Sequence, residues 1–224
     1  MEDFRFYFGL GWEHIISLDA LDHILFVTVL AAIYMLRDWK QVLILITAFT
    51  VGHSITLVLS AKQWVEVQES LVEFLIPCTI AITAITNLFQ KSFTPKAIRI
   101  NYFFALFFGL IHGLAFANLL RMILAKEQDF AFSMFSFSAG LETGQIMVVF
   151  LVLLVGELFI RLLKVDRKHW VIFVSAAVFA LSLKMAIERW PGRSEQGPEA
   201  AQLNQSVTSA SPIPLVLLRE SYRG

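Results

Sequence analysis

The sequence predicts an all-α membrane protein: a polytopic helix bundle with about six transmembrane helices, followed by a disordered C-terminal tail. Two observations carry that expectation. Of the 224 residues 57% are hydrophobic and only 16% are charged, too little charge for a soluble domain of this length. The apolar residues also fall into six runs, each close to the ~20 residues that a ~30 Å hydrocarbon core requires.

Taken in order, the Arg5 to Trp12 stretch is aromatic and broken by glycine, which suits an interfacial segment. It lacks the basic start and small-residue cleavage site of a signal peptide. The expected spans are Asp19 to Leu36, Val42 to Ser60, Leu71 to Leu88 and Tyr102 to Ile123, then one within Met134 to Leu163 and one within Trp170 to Ile187. Pro77 should kink the third. Residues 1–190 then form the bundle. From Pro191 the composition turns to Gly, Pro, Ser, Gln and Glu, so residues 191–224 read as a disordered polar tail whose Pro212 to Leu218 patch is too short to span. Lys and Arg favour the loops around residues 37–40, 91–99 and 161–168. By the positive-inside rule those loops are cytoplasmic and both termini lie outside.

Several function classes fall away. Lys plus Arg and Asp plus Glu both number 18, so no charge excess argues for nucleic acid as a partner. Cys78 is the single cysteine, which excludes an internal disulfide and a thiolate metal cage. The partners expected are the lipid bilayer and a metal ion, with a homo-oligomer as a further option.

The metal enters through the polar residues of the spans. His14, Asp19, Asp22 and His23 open the first apolar run, and His53, His112 and Glu142 each sit inside a later one. Counting helical rise from the cytoplasmic ends puts Asp22, His23, His53, His112 and Glu142 at roughly 15 to 28 Å, between the midplane and the outer surface. A lone membrane histidine is ordinarily a helix-to-helix hydrogen-bonding group. Four histidines and three acids at matching depth need pairing, water or a metal. Imidazoles and carboxylates without thiolate suit Ni²⁺, Co²⁺ or Zn²⁺. Gly109 and Gly113 bracket His112, Gly140 and Gly144 bracket Glu142, and Gly52 precedes His53, so the helices should approach closely there. Thr50, Ser54, Thr143 and Gln145 are the expected hydrogen-bonding partners of the ligands.

The motifs themselves resemble a known family. Asp22-His23-Ile-Leu-Phe, Thr47-Ala-Phe-Thr-Val-Gly-His53-Ser-Ile-Thr-Leu, Phe108-Gly-Leu-Ile-His112-Gly-Leu-Ala-Phe and Gly140-Leu-Glu142-Thr-Gly-Gln145 occur in order and are similar to the HupE/UreJ family, as is Val72-Glu73-Phe-Leu-Ile-Pro77. The match runs from about Gly11 to Leu163. The resemblance implies a hydrogenase- or urease-accessory membrane protein of a bacterial cytoplasmic membrane, of the kind regarded as nickel or cobalt permeases. It points to His14, Asp22, His23, His53, His112 and Glu142. Seven residues separate His14 from Asp22, a longer spacing than nickel permeases typically show.

Two functions are then in view. One is a permease with an outward-facing site. Against it stands the inner half, where Ile24 to Met35, Val42 to Ile46, Tyr102 to Phe108 and Val148 to Val155 carry scarcely a polar side chain, although a transporter path needs polar groups or broken helices. The other is an intramembrane zinc hydrolase, with three histidines on the metal and Asp22 or Glu142 as general base.

Overall fold

A computed structural model of the chain describes residues 2–17, 20–90, 95–124 and 129–192, with side chains in the fifth helix placed from 102 to 116. Seven α-helices make up the described residues, with no strand: α1 Glu2–Ile16, α2 Leu21–Ala31, α3 Trp39–Ala61, α4 Glu69–Leu88, α5 Pro95–Leu124, α6 Phe130–Arg161 and α7 Arg167–Glu188. The described residues up to Arg189 form one compact unit. From residue 193 the expected disordered tail lies outside the described residues.

The first span differs from the expectation. The Asp19 to Leu36 run is not one helix, because α2 has only 11 residues, about 16 Å of rise. The Arg5 to Trp12 stretch is helical, part of α1, which meets α2 at 71°. Hydrogen-bonding groups near both ends of α2 explain why the break is tolerated. At the start, the Asp22 carboxylate accepts the His23 backbone N–H at 2.9 Å, a favourable place for an anion on a helix. After the end, Ala32, Ile33 and Tyr34 remain buried, and the Arg167 guanidinium donates to the Ile33 carbonyl. Buried non-helical backbone survives at membrane depth only when protein satisfies it in this way.

Four single helices are long and apolar enough to cross a bilayer: the Leu36–Ala61 segment, Glu69–Leu88, Phe130–Arg161 and Arg167–Glu188. The bent α1–α2 pair makes a fifth if it is one span, and the described apolar stretch of α5, Tyr102–Phe116, is shorter than a full span. Against the expected six spans, the described residues give four or five by length and composition. By length and composition this is an integral membrane protein.

Glycine decides which helices touch. A Cβ at Gly109 would fall on the Phe49 carbonyl oxygen, and one at Gly113 on the His53 carbonyl and the Thr56 hydroxyl, so α3 and α5 pack backbone to backbone. Gly11 and Gly140 do the same for α1 and α6, against Phe137 and Phe8 respectively. Residues 140 and 144 share a face, and position 142 is about 200° round the helix from 140. The glycines that bracket Glu142 in sequence therefore seat α1, and the carboxylate turns instead to α3.

Around α2 these contacts enclose a core of Leu25, Phe26, Val29, Leu30, Leu45, Ile46, Phe49, Ile76, Ile80 and Phe108. A smaller cluster of Tyr7, Ile15, Leu57, Met134, Phe137 and Leu141 seals α1 against α6.

Candidate metal centre

His14 ends α1, His23 begins α2 and His53 lies in the second half of α3. The 71° bend brings the first two together, with ring centroids 4.6 Å apart. One imidazole nitrogen from each of the three lies within 4.8 Å of the others. His53 is 1% and His23 4% exposed, so the site is dry on its protein side. Buried polar atoms almost always find a hydrogen-bond partner. Yet His14 Nε2, His23 Nε2 and both nitrogens of His53 have none among the described residues. Converging imidazole nitrogens without a protein donor fit a transition-metal ion of the Ni²⁺, Co²⁺ or Zn²⁺ type.

Asp22 serves this trio from beside it. Its Oδ1 accepts from His23 Nδ1 at 3.1 Å, and its Oδ2 accepts from Arg189 Nη1 at 3.2 Å. A carboxylate only accepts here, so His23 Nδ1 carries the proton and Nε2 keeps its lone pair. This is the carboxylate–histidine arrangement that orients metal-binding imidazoles.

His112 on α5 stands one ring further along, its centroid 5.3 Å from that of His23. Its Nε2 meets Thr79 Oγ1 at 3.1 Å, and the same hydroxyl donates to the Ile76 carbonyl at 2.7 Å. With its own proton spent, the threonine oxygen accepts from His112 Nε2–H. Nδ1, which has no partner, is left as the free lone pair.

A pocket of about 280 Å³ opens onto the group, lined by His14, Asp22, His23 and His112 with Ile76, Ala115 and Phe116. The aromatic rings of Phe26 and Phe49 lie against His112 at 5.2 Å each.

The remaining expected residues fall into a separate seam between α3 and α6. Glu142 accepts from the Thr47 hydroxyl at 2.5 Å, Thr50 donates to Gln145 at 3.0 Å, and Ser54 and Ser138 share a hydrogen bond of 2.7 Å. Thr143 is exposed, and its hydroxyl donates to the Ala139 carbonyl of its own helix. Asp19 lies outside the described residues. Sequence reasoning missed Thr79 and Arg189. Neither carried a signal: Thr79 is one of several hydroxyls in an apolar span, and Arg189 counted only as a loop charge.

No curated protein and no solved structure matches the chain. A family model does: "HupE / UreJ protein" spans residues 1–189. With that model covering every helix that frames the histidines, this integral membrane protein belongs to the HupE/UreJ family.

Proposed function

We propose that the protein is a divalent-cation permease of the nickel or cobalt type, with His14, His23 and His53 as the residues that take the ion from the pocket. The observation that carries this reading is the meeting of three buried, unpartnered imidazole nitrogens within 4.8 Å, two of them on His14 and His23, which line that pocket. Water on the arriving cation is exchanged for imidazole, with His112 Nδ1 as the next lone pair along. The choice of Ni²⁺ or Co²⁺ rests on the family, since imidazole suits Zn²⁺ as well. The Lys and Arg loop bias supports a cytoplasmic-membrane location with both termini outside.

One observation favours a second reading, an intramembrane zinc hydrolase. One helical turn from His23, His53 and His112, the buried rings of Phe26, Phe49 and Phe108 pack together, with the Phe26 centroid 4.8 Å from Phe49 and 6.1 Å from Phe108, an apolar cluster next to the site that a permeating cation would have to pass. The carboxylates weigh the other way. Asp22 spends both oxygens on His23 and Arg189, and Glu142 lies in the α3–α6 seam with Oε1 on the Thr47 hydroxyl, an arrangement that suits orientation of the histidines better than general-base work.

Proteoliposomes containing a metal-sensitive dye separate the two. Ni²⁺ or Co²⁺ influx is expected with the unaltered protein and is expected to vanish in His23→Ala and His53→Ala. Vesicles without influx, from protein that keeps zinc through dialysis, would rule out the permease and leave the hydrolase.

A further inference from the structure

We infer that Arg189 is a positioning residue for the metal site: a cation that strengthens cation binding, because it holds Asp22 against His23. The inference rests on the metal-site reading above. Arg189 follows the last residue of α7 and is anchored there by its backbone N–H on the Met185 carbonyl at 2.9 Å. Its side chain reaches across 167 positions of sequence to Asp22 Oδ2, where the pair is 31% and 11% exposed.

Consider what the carboxylate does with each oxygen. Oδ1 takes both the His23 backbone N–H and the ring Nδ1–H, at 2.9 and 3.1 Å. Those two bonds fix the imidazole's tautomer and leave Nε2 bare in the trio. Oδ2 has Arg189 at 3.2 Å. The terminal torsion of an aspartate is broad and roughly two-fold, so a carboxylate held at one oxygen only can swing away. Arg189 closes that freedom from the far side, and the chain of contacts Arg189–Asp22–His23 ends at a metal-facing nitrogen.

The alternative is an ordinary ion pair that ties α7 to α2 and leaves the site alone. The sign of the effect distinguishes the two. Deleting a positive charge beside a cation site should, by Coulomb's law alone, tighten cation binding. A positioning role demands the reverse, because loss of the group that orients a metal-binding histidine typically weakens affinity about 10–100-fold. Lys184 provides a control: it sits on the same helix, pairs with Glu188 at 3.7 Å, and its Gln variant removes a charge without touching Asp22.

The test is Co²⁺ titration of the full-length protein in detergent, read by its visible absorption, with a thermal melt of each metal-free variant alongside. Arg189→Gln should weaken Co²⁺ binding roughly tenfold, and Lys184→Gln should leave it unchanged. Arg189→Lys, which keeps the charge but loses the planar fork, should show a loss of a few-fold. Combined with Asp22→Asn, Arg189→Gln should add nothing beyond Asp22→Asn alone, since both act through one contact. Equal or tighter binding by Arg189→Gln overturns the inference. So does a lowered melting temperature with unchanged affinity, or a double variant whose losses multiply. If Arg189→Gln does not fold, Arg189→Lys decides, and unchanged or tighter Co²⁺ binding by it overturns the role. Unaltered protein that binds no Co²⁺ overturns the metal-site reading itself, an outcome distinct from all of these.

Discussion

A single hydroxyl sets which nitrogen His112 offers. Thr79 spends its proton on the Ile76 carbonyl at 2.7 Å and accepts from His112 Nε2, so Nδ1 is the nitrogen left with a lone pair. Thr79→Val keeps the side-chain shape and removes the acceptor. Its expected effect is a loss of about tenfold in Co²⁺ affinity with the fold intact, checked by titration. Thr83→Val, whose hydroxyl reaches only the Thr79 carbonyl at 2.9 Å, should titrate like the unaltered protein. Equal affinity for both variants would remove Thr79 from the site. The four histidines were legible from residue type and depth. Thr79 and Arg189 were not, because each acts through one hydrogen bond between helices far apart in sequence, and hydrophobic periodicity carries no trace of that.

At the scale of elements, close backbone approach was readable and its partners were not. Small-xxx-small spacing marked Gly109, Gly113, Gly140 and Gly144 as contact points, but it does not say which helix arrives. The first pair receives α3 and the second receives α1, the helix hidden in what read as an interfacial stretch. The one-helix first span failed for a related reason. A continuous apolar run cannot distinguish a full span from a helix that stops after 11 residues when the backbone beyond its end is satisfied by a distant group, here Arg167 on Ile33. Gly109→Val places a side chain against the Phe49 carbonyl and must push α3 and α5 apart, a cost of about 1–3 kcal/mol for overpacking. A lower melting temperature in detergent is expected. Gly9→Ala meets nothing within 4 Å and should melt no lower than the parent, since alanine is the better helix former. If the two variants melt alike, the α3–α5 contact is not as close as described.

For the molecule as a whole, the fold class followed from composition and run length alone, whereas orientation rests on loop charges. Gln63 and Lys164 sit in opposite sets of loops, and both adopt positive φ, 58° and 54°, at tight turns after α3 and α6. In a Cys78→Ser background, a maleimide that cannot cross membranes should label Gln63→Cys in intact cells and spare Lys164→Cys. The opposite pattern would invert the topology. The trio also bears on the tempo of the proposed transport. His14, His23 and His53 belong to α1, α2 and α3, so if the proposed permease grips its cation with all three and lets go by shifting those helices, each release would take microseconds to milliseconds. Transport by that route would run in discrete turnovers and saturate, where a channel's current would keep climbing.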